Sequence, residues 1–169
     1  MLTIPQSLMP GVEEVRGGCL GIPFASLPAC TEQSLAEILR VQEVLKRVPQ
    51  IDLLTEHVFH AGMYTRTIRL GAGVIVTGAL VKVPTILIIN GHVDVFIGDE
   101  WAEVCGYGVL PASAGRKQVF ITRSTVEMTM VFPTRAKTVE DVEAEFTAEA
   151  KDLLSRRNSK QNVLVITGE

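Results

Sequence analysis

Apolar residues change rhythm three times along the chain. Over residues 31–48, TEQSLAEILRVQEVLKRV, Leu35, Ile38, Leu39, Leu45 and Val48 recur at helical spacing, with Gln42 the polar gap in the stripe. Thr31 is placed to cap the first turn, Glu32 favours the positive end of the helix dipole, and Lys46 and Arg47 suit its negative end. Pro49 cannot continue the ladder, so the spacing predicts a helix over 31–49. From about 56 to 133 the period shortens. MYTRTIRL, VIVTGALVKV, TILIIN, HVDVFIG, WAEVCGYGVL, KQVFITR and TVEMTMVF are dense in Val, Ile and Thr and are punctuated by Gly, Pro, Asn and Asp. Asn90-Gly91, between TILII and HVDVFI, carries the strongest hairpin signal. Strands at this spacing with no helix between them predict an antiparallel sandwich or barrel.

A second helical stretch follows over 138–157. Val139, Val142, Phe146, Ala150 and Leu153 form its apolar stripe, Thr138 caps it, acidic residues crowd its first half, and Lys151, Arg156 and Arg157 close it. Asn158-Ser159-Lys160 breaks it, and NVLVITGE reads as one more β-type segment.

The ends differ from the middle. Residues 1–30 are rich in proline and glycine without a sustained period, which predicts an extended arm. Leu20, Ile22, Phe24 and Leu27 give that arm apolar groups to lay on a surface. In the tail 158–169, Val163, Leu164, Val165 and Ile166 suit pairing with an exposed sheet edge, on the chain's own domain or a neighbour's. Both segments are therefore candidate interaction elements; the alternative is that both wrap their own barrel.

Composition narrows the function classes. The 169 residues amount to one ordinary domain, and 47 % hydrophobic with 21 % charged residues is the balance of a chain with a packed core. A net charge of −3 gives no electrostatic footprint for nucleic acid. No apolar run reaches the roughly 18 residues that span a bilayer. The opening MLTIPQSLMPGVEEV lacks the basic and apolar regions of a secretory leader. Three scattered cysteines, Cys19, Cys30 and Cys105, form neither a disulfide framework nor a CxxC metal site, so synthesis in a reducing compartment is expected.

The β-rich stretch, over roughly 62–133, resembles the cupin family, whose fold is a small jelly-roll barrel. The first cupin motif spaces glycine, His-x-His, Glu and glycine as this chain spaces Gly71, positions 77 and 79, position 84, and Gly91. In the second motif Pro111 is in place, Ser113 stands for glycine, Arg116 for the fourth ligand and Phe120 for asparagine, and Cys105 holds the place of the leading glycine. The four metal-ligand positions are thus Thr77, Ala79, Pro84 and Arg116, which cannot hold a transition metal. The resemblance implies a single jelly-roll barrel over 56–133, flanked by the helices 31–49 and 138–157, with no cofactor and no catalytic metal. The run VIVTGALVKVPTILII is so apolar that the barrel interior is expected to be filled like any core.

Other candidate chemistry is sparse. His57 and His60, beside Glu56, form the one histidine cluster, and with His92 they make the alternative site for a metal-dependent enzyme or small-molecule binder. On a strand, however, a spacing of three sends His57 and His60 to opposite faces. His92 follows the Asn-Gly pair and is expected at an exposed hairpin end. Cys105, in WAEVCGYG, reads as a small buried residue, and Arg116-Lys117 as a solvated basic spot at the rim. GxSxG, HExxH, P-loop and GxGxxG patterns are absent. The runs TGALVKVPTILIINGHVDVF, GYGVLPASAGRKQVF and VFPTRAKTVEDVEAEFTAEAKDLLSRR are similar to small cupin-like proteins of tailed bacteriophages. That likeness implies a non-catalytic structural protein of the virion, made in the host cytoplasm. Its partners would be copies of itself and other virion proteins, with capsid decoration the first role expected and a tail or baseplate part the second. The alternative location is simply cytoplasmic.

Overall fold

Alternation of side chains, one in and one out, builds most of this molecule. In Val126–Pro133 the even-numbered residues Val126, Met128, Met130 and Phe132 are buried and the odd-numbered ones face outward. The computed structural model describes residues 25–98, 100–153, 156 and 162–167. Leu20, Ile22 and Phe24 of the expected arm lie outside the described residues. A helix α1 (Glu32–Leu45) precedes seven strands: β1 (Thr55–His60), β2 (Met63–Leu70), β3 (Ile75–Thr77), β4 (Thr85–Ile97), β5 (Glu100–Ala112), β6 (Val119–Thr122) and β7 (Val126–Pro133). A short helix α2 (Val139–Phe146), a 3-10 turn (Ala150–Asp152) and β8 (Asn162–Thr167) follow. No helix among the described residues is long and apolar enough to cross a membrane.

The strands form one eight-stranded sheet in the order β3-β6-β4-β7-β2-β1-β8, with β5 paired to β4. The expected mainly-β fold with a helix on either side is what the chain adopts. Its pairings are antiparallel except one: β8 runs parallel to β1. Two apolar clusters fill the concave side. Leu70, Ile89, Val93, Val104 and Val126 belong to one, and Tyr64, Phe132, Val142 and Phe146 to the other. In the second, Tyr64 meets Phe59 and Phe132 at ring-centroid distances of 5.0 and 5.4 Å, and Phe146 of α2 meets Phe132 at 6.0 Å.

Several sequence expectations are corrected. Asn90-Gly91 is not a hairpin: β4 runs straight through it. One edge of β4 pairs with β5 along its whole length, while the other pairs with β7 over Ile86–Asn90 and with β6 over Val93–Val95. Gly91 lies where that edge changes neighbours, at φ 133, and a Cβ there would sit 2.5 Å from the Thr125 carbonyl oxygen. Glycine is needed for close approach of the β6–β7 connection, not for a turn. The two-residue hairpin connections fall instead at Ala61-Gly62 and after Ile97, where Gly98 has φ 65.

The VIVTGALVKV run is a strand only over Ile75–Thr77, and beyond it Val81 makes isolated bridges to Arg116 and Thr147. Helix 138–157 ends early, at Phe146. The buried Thr147 is extended (φ −148, ψ 149) and bridges Val81, while Lys82 N–H bonds the Phe146 carbonyl. Tertiary pairing thus takes the place of further helical turns. Helix α1 begins on its Thr31 cap as expected but ends at Leu45, where the Gln50 side-chain amide donates to the Leu45 carbonyl at 2.6 Å. Its buried residues are Ser34 and Ile38, whereas Leu39, expected on the apolar stripe, is 40 % exposed.

Candidate functional site

Between the two apolar clusters the concave side of the sheet keeps a cavity of about 260 Å³. The expectation of a wholly filled interior is therefore corrected. Ile68, Val76, Leu87, Phe120, Met128 and Met130 give it apolar walls, and the segment after α1, from Val48 to Ile51, adds to its lining. Inward-facing positions of β2, β4, β6 and β7 supply these walls because each strand alternates.

Of the four positions that match cupin metal ligands, Thr77, Ala79 and Arg116 line this cavity; Pro84 is exposed and does not. Arg116 and Lys117 are not a solvated spot. Their exposures are 3 % and 1 %. The reason is tertiary: Arg116 bridges Val81, and the Cys30 Sγ donates to the Lys117 carbonyl at 3.0 Å. Lys117 Nζ reaches Glu149 Oε2 at 2.7 Å. Burial works to raise the Glu149 carboxyl, but the Lys117 hydrogen bond, the Leu80 N–H and the Lys117 charge together hold it below the ordinary range. Arg116 has no such carboxylate among the described residues. It donates to the Ser113 carbonyl at 3.1 Å and to Thr85 Oγ1 at 2.7 Å, and burial pulls its pKa down to about 10.

A second buried charge was invisible in the sequence. Glu143 of α2 is 0 % exposed and is bracketed by Arg66 Nη1 at 2.9 Å and Arg156 Nε at 2.5 Å. Arg66 and Glu143 are 77 residues apart in the chain, so no spacing rule connects them. Glu143 reads from sequence as one of several acidic residues on a solvated helix start.

The three histidines are not brought together. His57 and His60 sit on β1 and face opposite ways, while His92 sits on β4, with β7 and β2 between the two strands. His57 is 0 % exposed, and its Nδ1 lies 2.8 Å from Tyr64 Oη. Burial first, and the Arg66 charge second, lower the His57 pKa to about 4, and burial pushes Tyr64 up to about 12. The pair is neutral, and His57 Nε2 is buried without a hydrogen-bond partner. His60 is exposed and its Nδ1 lies 2.7 Å from the Thr167 carbonyl oxygen, so it fastens β8.

His92 is within a strand rather than at a hairpin end. Its Nε2 lies 2.5 Å from Glu103 Oε1 on the outer face of the β4–β5 ribbon, and Cys105 stands close by. The donor atoms of His92, Glu103 and Cys105 all lie within 4.8 Å of one another, an N, O and S set suited to zinc. Cys105, however, is disulfide-bonded and offers no thiolate, which also corrects its reading as a plain buried residue. Two side chains remain, too few to hold a metal.

The candidate interaction residues divide. Leu27 is 0 % exposed and belongs to the chain's own core, its N–H bonded to the Pro111 carbonyl at 2.9 Å. Val163, Leu164, Val165 and Ile166 pair with β1 through β8, and β8 ends the sheet order. Val163, Leu164 and Ile166 stay 44 %, 52 % and 65 % exposed.

No family model matches this chain, and no curated protein matches it. Solved cupin domains do resemble it in fold. The Cupin_2 domain of an XRE-family transcriptional regulator from Enterobacter cloacae is 11 % identical with a TM-score of 0.40, covering 50 % of this chain and 100 % of that one. A cupin superfamily protein from Desulfitobacterium hafniense is 12 % identical with a TM-score of 0.42, covering 52 % of this chain and 83 % of that one. The EutQ protein of Clostridium difficile is 14 % identical with a TM-score of 0.40, covering 52 % and 69 %. At such values the likeness carries nothing about chemistry.

Proposed function

We propose that this chain is a non-catalytic assembly protein that associates with copies of itself through the β8 edge of its sheet. The observation that carries this reading is the exposure of that edge. Val163, Leu164 and Ile166 project 44 %, 52 % and 65 % exposed from the last strand, and no described strand lies beyond it. Sheet edges in isolated proteins are normally short, charged or covered, because a free row of N–H and C=O groups recruits further strands. β8 has none of these protections among its described residues. A second copy of the same strand satisfies both its hydrogen bonds and its apolar side chains, and a two-fold axis makes the contact self-complementary.

We further propose a virion as its setting, a reading supported only by the sequence likeness to small cupin-like phage proteins, with capsid decoration as the first role and a tail or baseplate part as the second. The rival reading, an enzyme or binder built on His57, His60 and His92, has no common site to work from. Light scattering coupled to gel filtration tests the association. The full chain is expected as a dimer or larger, and Leu164→Lys with Ile166→Lys as a folded monomer. A monomeric parent chain overturns the reading. The virion assignment is tested by quantitative mass spectrometry of purified phage particles, where a constant copy number per particle is expected.

A further inference from the structure

The geometry points to a binding site for a small organic anion, a carboxylate with an apolar body, inside the cavity and with Arg116 as its acid-binding group. This is independent of the β8 edge and of any metal. Three observations carry it.

The first is the state of Arg116. A guanidinium has five N–H donors. Two of them are used, on the Ser113 carbonyl and Thr85 Oγ1, both neutral, and no carboxylate among the described residues pairs with it. A buried cation ordinarily has an anionic partner, since desolvation is otherwise uncompensated. Here Arg116 is 3 % exposed and is among the residues that line the cavity.

The second is the charge balance of the wall. Lys46, Arg66, Arg116 and Lys117 line the cavity against Glu149 and Asp152. Glu149 is engaged by Lys117 and the Leu80 N–H, and Arg66 by Glu143, so these pairs close on themselves. Lys46 pairs with Glu43 at 2.9 Å, so Arg116 is the lining cation that no carboxylate among the described residues engages, and its planar fork matches a carboxylate.

The third is the size and lining. The volume, about 260 Å³, lies just under the usual range for drug-sized ligands, so the occupant is small. The aliphatic, Met and Phe walls suit a ligand with a hydrocarbon body.

Isothermal titration calorimetry on the full chain with octanoate, octanamide and acetate tests the site. Octanoate is expected to bind at least about tenfold more tightly than octanamide, because only the carboxylate makes charge-assisted bonds. It is expected to exceed acetate by at least as much, because acetate leaves the walls unfilled. Arg116→Met, apolar and of similar reach, is expected to weaken octanoate about tenfold and to leave octanamide within about twofold. Ala79→Leu keeps Arg116 and fills the cavity, and is expected to abolish binding of both eight-carbon ligands. No heat with octanoate overturns the proposal, as does equal affinity for the amide, or octanoate binding that Ala79→Leu leaves intact. The ligand series on the parent chain decides the matter even if Arg116→Met does not fold.

Discussion

Gly91 separates two readings of the same dipeptide. If Asn90-Gly91 were a hairpin turn of the I′ type, asparagine at 91 would be tolerated, since such turns accept Asn where φ is positive. In the structure Gly91 is a strand residue at φ 133 with the Thr125 carbonyl oxygen 2.5 Å, and Val126 Cα 3.0 Å, from where a Cβ would stand. Two costs then add for Gly91→Ala. Holding an L-residue in this backbone region costs about 1–3 kcal/mol. Forcing backbone away from a new methyl costs about 1–3 kcal/mol more, as overpacking does elsewhere. Against these stands about 0.4–1 kcal/mol gained from a stiffer unfolded chain. The net is a loss of about 3 kcal/mol, or a fall in Tm of about 10 °C for a domain of this size. Gly91→Asn is expected to be at least as damaging. Gly71→Ala serves as the control, because nothing lies within 4 Å of its Cβ position and its φ is not positive, so it should stay within about 0.5 kcal/mol. Urea titrations followed by circular dichroism measure all three. Stabilities for Gly91→Ala and Gly91→Asn within about 1 kcal/mol of the parent would refute the strand-corner geometry.

Two further predictions concern buried charge. His57 has its folded pKa lowered to about 4 from an ordinary 6.5, so between those values the unfolded chain binds a proton that the folded chain does not. Stability is therefore expected to fall as pH drops from 6.5 toward 4, by at most about 3 kcal/mol and by about half that after solvent screening. Urea midpoints from pH 5 to 7 measure the slope above the carboxylate range, and His57→Gln should flatten it. Glu143→Ala leaves the Arg66 guanidinium, 13 % exposed, without its carboxylate, and is expected to cost about 3 kcal/mol or more. Replacing Arg66 by Met and Glu143 by Leu together should cost less than Glu143→Ala alone, which a double-mutant cycle on urea midpoints would show.

What could be read from the chain and what could not follow one physical division. Alternation and helical spacing are local, so they located the runs that became β2, β5, β6 and β7, and the cap at Thr31. Where a tertiary contact competes with the local signal, the local reading fails. Asn-Gly carries a hairpin preference, but the connection before β7 lies against Gly91, and β4 continues. The stripe from Val139 to Leu153 carries a helical preference, but Thr147 pairs with Val81 and the helix ends after two turns. The short apolar run after Ile75 suffers the same fate, drawn toward Arg116 and Thr147 instead of a neighbouring strand.

Candidate chemistry divides along the same line. Side-chain type was legible: the positions that the cupin resemblance would make ligands hold threonine, alanine, proline and arginine. Environment was not. Arg116 in ASAGRKQ has the composition of a surface loop, and nothing nearby says that it is 3 % exposed. Its burial arises because Val81 and Cys30, 35 residues before it and 86 residues before it by number, close over the 113–117 loop through a bridge and backbone bonds. A buried arginine whose hydrogen-bond acceptors are neutral is costly unless something offsets it. Hydrophobic replacements of buried charges are often as stable or more so. The place of Arg116 beside an open volume is the feature of this molecule that most directly asks for a ligand.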